Sequence, residues 1–349
     1  MDPLAPGEFR SETVYLNTAS YGLPPARGLA SVAAVTERWA GGYGSPSAHD
    51  DQVETLRASF ARLLSGATAD DVAIGHGVGS LIGPAAAALP PGAEVLVPED
   101  DFASVPNPFR YRGDLTVRAV PLARLAEEVC PQTALVAASV VQSADGRAID
   151  PAELRAVTRA NDAWLLLDAT QAAGWLPLRF DDADFWVCAT FKWLLGARSV
   201  SLLAVHPSVA DAVRPVSPGW YAAADRWAEM YAPQRLSDTV RRLDDTPDWL
   251  GVVYSVAGLR LIEELGVEAI GRHDRALAAR FRDGLAELGL PSIAGDSPIV
   301  TLPGAGEFAD RLAESGIVTS ARDGGLRVSF HVHNGSDDVE RALKALAQN

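Results

Sequence analysis

Residues Trp164 to Gly196 read WLLLDATQAAGWLPLRFDDADFWVCATFKWLLG, and the parsing of this stretch decides the fold. Two apolar runs, Trp164 to Leu167 and Phe185 to Ala189, have the length of buried strands. The first delivers Asp168 and, one helical turn later, Gln171; the second ends beside Thr190 and Lys192. In an open α/β sheet, ligands bind outside the carboxyl ends of the strands, so an acid, an amide and a lysine at strand exits are placed to converge on one small molecule.

Upstream, Val72-Ala73-Ile74 reads as a strand that runs into Gly75-His76-Gly77-Val78-Gly79-Ser80 and an alanine-rich helix. Strand, glycine turn and helix start form the layout of an anion site, because the first N–H groups of a helix and its dipole favour negative charge. A plain strand-to-helix turn has the same pattern, and this segment alone does not separate the two. Apolar runs at Glu94 to Pro98, Leu115 to Pro121, Ala134 to Val141 and Ser199 to Val205 alternate with loop or helix signals. Such alternation predicts a largely parallel sheet covered on both faces. Asp150 and Pro151 mark a helix start.

Toward the N-terminus, Val14-Tyr15-Leu16 is a short strand that enters a loop through Asn17, Ser20 and Gly22. Helices are expected from Ala26 to Trp39 and over Val53, Leu56, Phe60, Leu63 and Leu64. A loop-rich segment runs from Pro207 to Pro247, followed by helices from Trp249 to Leu265 and from Val267 to Leu288. Short strands at Ile299 to Leu302 and Leu326 to Phe330 precede a last helix capped by Ser336. The expected fold is therefore α/β: a three-layer α/β/α unit with a mainly parallel mixed sheet over residues 1–250, and a small C-terminal α+β domain over 251–349. Residues 1–25 are expected to pack on the smaller one.

A formal net charge of -15 argues against binding to phosphate backbones or anionic membranes, both of which require a basic face. No apolar run approaches the roughly 20 residues of a membrane span, and the N-terminus has no signal-peptide pattern. The expected setting is the cytoplasm, with a small-molecule partner and no nucleic acid. The two cysteines, Cys130 and Cys188, form neither a disulfide framework nor a metal-ligand spacing. His331 and His333 lack further ligand partners in sequence, and no metal is assigned.

One cofactor asks for what these residues offer. Pyridoxal 5'-phosphate needs a lysine to hold its aldehyde as a Schiff base, an acid on the pyridine nitrogen, donors for the phosphate and an aromatic face. Lys192 is the candidate for the first role and for moving the substrate α-proton; Asp168 is the candidate acid.

At this point the chain resembles the class V aminotransferase superfamily of fold-type I pyridoxal-phosphate enzymes, the group of cysteine desulfurases, kynureninases and isopenicillin-N-epimerase-like proteins. DATQAAG, with Asp168 and Gln171, is similar to that family's acid and amide motif, and FKWLLG is similar to its lysine motif. The resemblance implies phosphate contacts from Gly77, Val78, Gly79 and Thr190, and ring stacking by Phe102 or its neighbour Asp101. It implies polar groups facing cofactor or substrate at Gln142 and Ser143. It further implies that Arg327, in LRVSFHVHN, grips the substrate carboxylate, and that Thr246 reaches a neighbouring subunit's phosphate in a homodimer. Trp220 and Asn17 would lie near the substrate. Departures bear on the reaction. No cysteine lies between residues 251 and 349, which disfavours persulfide chemistry; Phe191 stands where histidine is usual, Ala189 where serine is common and Asp245 where glycine is common.

These residues imply an enzyme acting at the α-carbon of an amino-acid substrate, with β-elimination or C–S lyase chemistry preferred, transamination next and epimerisation third. Two readings from other classes compete. Gly77, Gly79 and Gly83, with Glu99 downstream, loosely match a dinucleotide-binding turn and would suit a nicotinamide oxidoreductase. A binding protein that kept the fold and lost catalysis is the other.

Overall fold

The computed structural model describes residues 1–231 and 235–347. In chain order the principal elements begin with β1 (Val14–Tyr15), α1 (Ala26–Ala40) and α2 (Asp50–Leu63). Then come β2 (Val72–Gly75), α3 (Val78–Ala88), β3 (Glu94–Pro98), β4 (Thr116–Val120) and β5 (Thr133–Ser139). The deciding stretch supplies β6 (Trp164–Asp168) and β7 (Phe185–Ala189), after α4 (Pro151–Ala160) and before β8 (Ser201–Val205). The C-terminal elements are α5 (Trp249–Leu265), α6 (Val267–Glu287), β9 (Ile299–Leu302), β10 (Ile317–Val318), β11 (Ser320–Arg322), β12 (Gly325–Ser329) and α7 (Ser336–Ala347).

Seven strands form the main sheet in the order β2-β8-β7-β6-β5-β3-β4. All neighbours are parallel except β8, which runs antiparallel to both β2 and β7. The mixed, mainly parallel α/β sheet expected from the alternation is thus present. Its central strands β6 and β7 are almost wholly buried, as strands covered on both faces must be, and this is why they read as unbroken apolar runs. One apolar cluster lies on each face: Leu165, Leu167, Trp186 and Cys188 point to one side, Leu166, Phe185 and Val187 to the other. Residues i and i+2 of a strand share a face, and the two clusters divide on that period.

Asp150 caps α4 by accepting from the backbone N–H groups of Ala152 (2.9 Å) and Glu153 (3.3 Å). Ser336 is not the cap of α7. It is the first residue of the helix, and its Oγ accepts from the Met1 nitrogen at 2.9 Å, while Asp338 accepts from the Gly335 N–H at 3.1 Å.

A smaller antiparallel sheet, β9-β12-β11, packs with α6 and α7 around a third apolar cluster that includes Phe281, Leu285, Val328 and Phe330. The first strand of the chain joins this region: β1 pairs in parallel with β10, and Asn17 bridges to Ser329. α5 packs against α1 and α2, although it follows position 250 in the chain. No helix among the described residues is long and apolar enough to cross a membrane.

Candidate active site

The carboxyl ends of β2, β6 and β7 open onto one cavity of about 340 Å³, and β12 of the smaller sheet closes it from the side. Of the residues singled out in the sequence, the structure brings Gly77, Val78, Phe102, Ser143, Asp168, Gln171, Lys192 and Arg327 to its wall.

Asp168 is the last residue of β6 and is 4% exposed. Its Oδ1 accepts the Thr170 N–H at 2.8 Å, while the Thr170 hydroxyl accepts the Ala189 N–H at 2.9 Å, so the turn after β6 is laced to the end of β7. Burial pushes Asp168 up to about 6, against the opposing pull of the Thr170 hydrogen bonds and of Lys192. Lys192 is 6% exposed, with Nζ 5.5 Å from the centroid of the Phe102 ring. Burial brings its amine down to about 8, with Asp168 opposing and Arg327 assisting.

The lysine loop is held from three directions. The Thr190 hydroxyl is turned to the Val200 and Ala197 carbonyls at 2.9 and 3.0 Å, and the Gly196 N–H donates to the Thr190 carbonyl at 2.8 Å. Leu195 sits at φ 55, a left-handed conformation that costs a branched side chain energy. Gly22 donates its N–H to the Phe191 carbonyl at 2.8 Å, and a Cβ there would stand 2.3 Å from the Lys192 carbonyl oxygen, so only glycine permits that approach. From the third side, His331 Nε2–H donates to the Trp193 carbonyl at 3.1 Å, and its Nδ1 meets Asp274 at 2.9 Å. His331 thereby anchors the C-terminal region to the lysine loop, whereas His333 Nε2 lies 3.0 Å from the Tyr15 carbonyl, in β1.

Gln171 has its amide fixed. Its Oε1 accepts from Trp193 Nε1 at 2.8 Å, and its Nε2 donates to the Ala19 carbonyl and Ser143 Oγ, both at 3.0 Å. Ser143 Oγ also accepts from Arg327 at 3.2 Å. Arg327 is 1% exposed and donates to Ser320 Oγ (3.2 Å), Ser20 Oγ (2.6 Å) and the Ser143 carbonyl. Among the described residues no carboxylate comes within 4.0 Å of it, and burial, with Arg322 nearby, lowers it to about 9. A buried guanidinium without a counter-ion is a receptor for an anion.

Six nominated residues are off the cavity wall. Asn17 spends its backbone on the bridge to Ser329, with Oδ1 buried and unpartnered. Gln142 Nε2 donates to the Ser139 carbonyl at 3.3 Å. Thr190 is committed to its own loop, as above, and Gly79 lies one residue beyond the helix start that lines the cavity. Trp220 packs on Tyr221 and Trp227, with centroids 5.4 and 5.1 Å apart. Thr246 lies by Gly219, where a Cβ would be 3.9 Å from its Oγ1. Ser20 reaches the wall in the loop that runs from Asn17 to Gly22, where the substrate is expected, and sequence reasoning missed His76, Thr170, Arg198, Ser201 and Arg322 there. The Asp-x-Thr spacing of Asp168 and Thr170 was a usable signal; the others are surface-type residues in loops and strand ends with no motif of their own.

An unpartnered buried lysine, a carboxyl held near neutrality, a helix start facing the cavity and an uncompensated arginine are together the donor set for a phosphorylated pyridine aldehyde and a carboxylate-bearing substrate. They define a pyridoxal-phosphate enzyme of fold type I. The comparisons agree with this class. The aminotransferase class-V family profile matches residues 41–342, and the chain belongs to that family. The uncharacterized aminotransferase YcbU of Bacillus subtilis is 26% identical over 317 residues, covering 85% of this chain and 84% of its own length. Among solved structures, the complex of the cystine C–S lyase C-DES with its product cysteine persulfide superposes with a TM-score of 0.87 at 20% identity, covering 97% of this chain and 98% of that one. The apo cysteine desulfurase of Thermococcus onnurineus gives 0.85 at 20% identity, covering 97% and 94%.

Proposed function

We propose that the protein catalyses β-elimination, of the C–S lyase kind, on an amino-acid substrate, with Lys192 binding the cofactor aldehyde. The observation that carries this reading is the convergence of Lys192, Asp168 and Arg327, all nearly buried, on one cavity. When bound, pyridoxal phosphate provides an electron sink for the pair released at the substrate α-carbon. The chain's own residues do the rest. Asp168 holds a proton at the pyridine nitrogen, Phe102 covers a ring face, and Gln171 and Arg327, by donating to Ser143 Oγ, leave that hydroxyl's own proton free for the ring oxygen. Arg327 binds the substrate carboxylate with its uncompensated charge. Lys192 Nζ takes the α-proton, the β-substituent leaves with the electron pair of its bond to carbon, and the ammonium so formed can pass that proton to the departing thiolate.

The preference for elimination rests on what lines the cavity. Neither cysteine is on the wall: Cys188 is buried in β7, and Cys130 lies 3.5 Å from Thr133 at the start of β5. A thiol nucleophile for sulfur transfer is therefore not at hand, whereas elimination asks only for a base and a held carboxylate. The dinucleotide alternative fits less well, because Gly83 and Glu99 are off the wall. Transamination is the second reading, favoured by the 26% identity to YcbU. The reading includes a homodimer: Thr246 and Trp220 stand off the cavity of the single chain, where only a second subunit would give them the roles the family resemblance implies.

The test is spectral and then chemical. Purified protein given pyridoxal phosphate is expected to develop a lysine-bound absorption that borohydride fixes and that Lys192→Ala lacks. Incubation with sulfur-containing amino acids is expected to release a keto acid and ammonia. Stoichiometric amino transfer to an added keto acid, without ammonia, would instead establish the transaminase.

A further inference from the structure

Three observations meet at the end of the cavity where α3 begins. Ser201 opens β8 and is the register partner of both Ala189 on β7 and Gly75 on β2, so it sits where β2 and β7 end and the antiparallel β8 begins. It is 1% exposed, it lines the cavity, and its Oγ has no hydrogen-bond partner among the described residues. A buried hydroxyl is costly to leave unpaired and points to a ligand oxygen. Arg198 lines the same cavity, its guanidinium carbon 4.9 Å from the centroid of Phe191, with no carboxylate within 4.0 Å among the described residues. Finally, the hydroxyl expected to serve an anion here, that of Thr190, is turned into its own loop, and Ala189 and Phe191 offer no polar side-chain atom.

We propose that Arg198 and Ser201 bind the phosphate group of the cofactor, together with the N-terminal turn of α3 at Gly77 and Val78. The inference rests on pyridoxal phosphate being the cofactor. Arg198 supplies the charge and a pair of donors that match phosphate oxygens. Phe191, which removes an imidazole beside the lysine, gives in return a flat face on which that guanidinium rests. Ser201 restores, one strand over, the hydroxyl that Ala189 lacks; cross-strand partners point to the same face of a sheet, so the exchange is geometrically direct. The helix turn contributes N–H groups and dipole.

Apoprotein is titrated with pyridoxal phosphate and, separately, with pyridoxal, which has the same ring and aldehyde and no phosphate. Arg198→Ala is expected to weaken pyridoxal phosphate by about ten- to a hundredfold, the scale of lost charge-assisted hydrogen bonds, and to leave pyridoxal unchanged. Ser201→Ala is expected to cost about fivefold, and Arg198→Lys to recover part of the loss. Inorganic phosphate is expected to raise the melting temperature of wild-type apoprotein and not that of Arg198→Ala. The assignment is overturned if both alanine variants bind pyridoxal phosphate as wild type does, or if Arg198→Ala weakens both ligands by the same factor. Wild-type protein that takes up neither ligand refutes the cofactor reading instead, and the phosphate melting comparison still decides whether Arg198 serves an anion.

Discussion

At the inner end of the cavity Asp168, Gln171, Lys192 and Arg327 are each at most 6% exposed; Asp168, Gln171 and Arg327 are fixed by hydrogen bonds, and Lys192 Nζ lies beside the Phe102 and Phe191 rings. At the mouth, His76, Phe102, Arg198 and Arg322 are exposed, resting on ring faces, a serine or backbone carbonyls. Asp168, Lys192 and Arg327 carry a desolvation cost that shifts their proton affinities toward neutrality. Chemistry that needs tuned acids and bases can be done only at the inner end, while the mouth can change residue types and keep its task.

Removing the inner lysine is the most severe way to break that contrast. Lys192→Ala is expected to lower kcat/KM by about a thousandfold or more and to abolish the bound-cofactor absorption. Asp168→Asn comes next, with a loss of roughly a hundredfold or more in kcat, yet with a more stable apoprotein at neutral pH. The sign follows from burial. Asp168 titrates near 6 in the folded chain against 3.8 for an ordinary carboxyl, so the stability its proton lends is complete below pH 3.8 and gone above about 6. Denaturant melts should therefore show wild-type apoprotein losing stability across that window and the asparagine variant not, a difference on the order of a few kcal/mol at pH 7. An unchanged profile would place Asp168 in contact with solvent.

Arg327→Ala is expected to cost about a hundredfold in kcat/KM, mostly as KM, as paired charge-assisted bonds are lost; amine substrates lacking the carboxylate should be indifferent to it. Below pH 8 the rate of cofactor capture by apoprotein should rise about tenfold per pH unit as the neutral amine of Lys192 is populated, then level off. Stopped-flow absorbance reads this directly, and a break near 10.5 would mean an exposed lysine. The mildest change is at the mouth: Phe102→Ala is expected to weaken cofactor binding by roughly two- to tenfold, the worth of an aromatic contact.

The same contrast explains what could be read from the sequence. β6 and β7 were legible because strands buried on both faces are unbroken apolar runs, and Asp168 and Lys192 because a charge at the end of such a run has no structural excuse. The two-residue strand β10 and three-residue β11 were not legible, because Ile317 and Val318 are too short a run to carry a period and are strands only by virtue of their partners. Thr190 and Ser201 exchange roles for a similar reason. A hydroxyl next to the lysine looks like a ligand in one dimension, but Thr190 faces Ala197 and Val200, while Ser201 reaches the site only through pairing with Ala189 and Gly75. Trp220 and Thr246, placed by resemblance, stand off the wall because the cavity of one chain does not extend to Gly219.

The pairing of β1 with β10 has a bearing on the order in which the protein can be made. Val14 finds its partner Ile317 about 300 residues later, and Ala19 donates its N–H to Ser329 at 3.0 Å. The segment that carries Ser20 to the side of Arg327 leaves the ribosome about 300 residues ahead of the strand that holds Arg327 and cannot dock until that strand has emerged. The Arg327 end of the cavity is thus completed only after the seven-stranded sheet has its full set of strands.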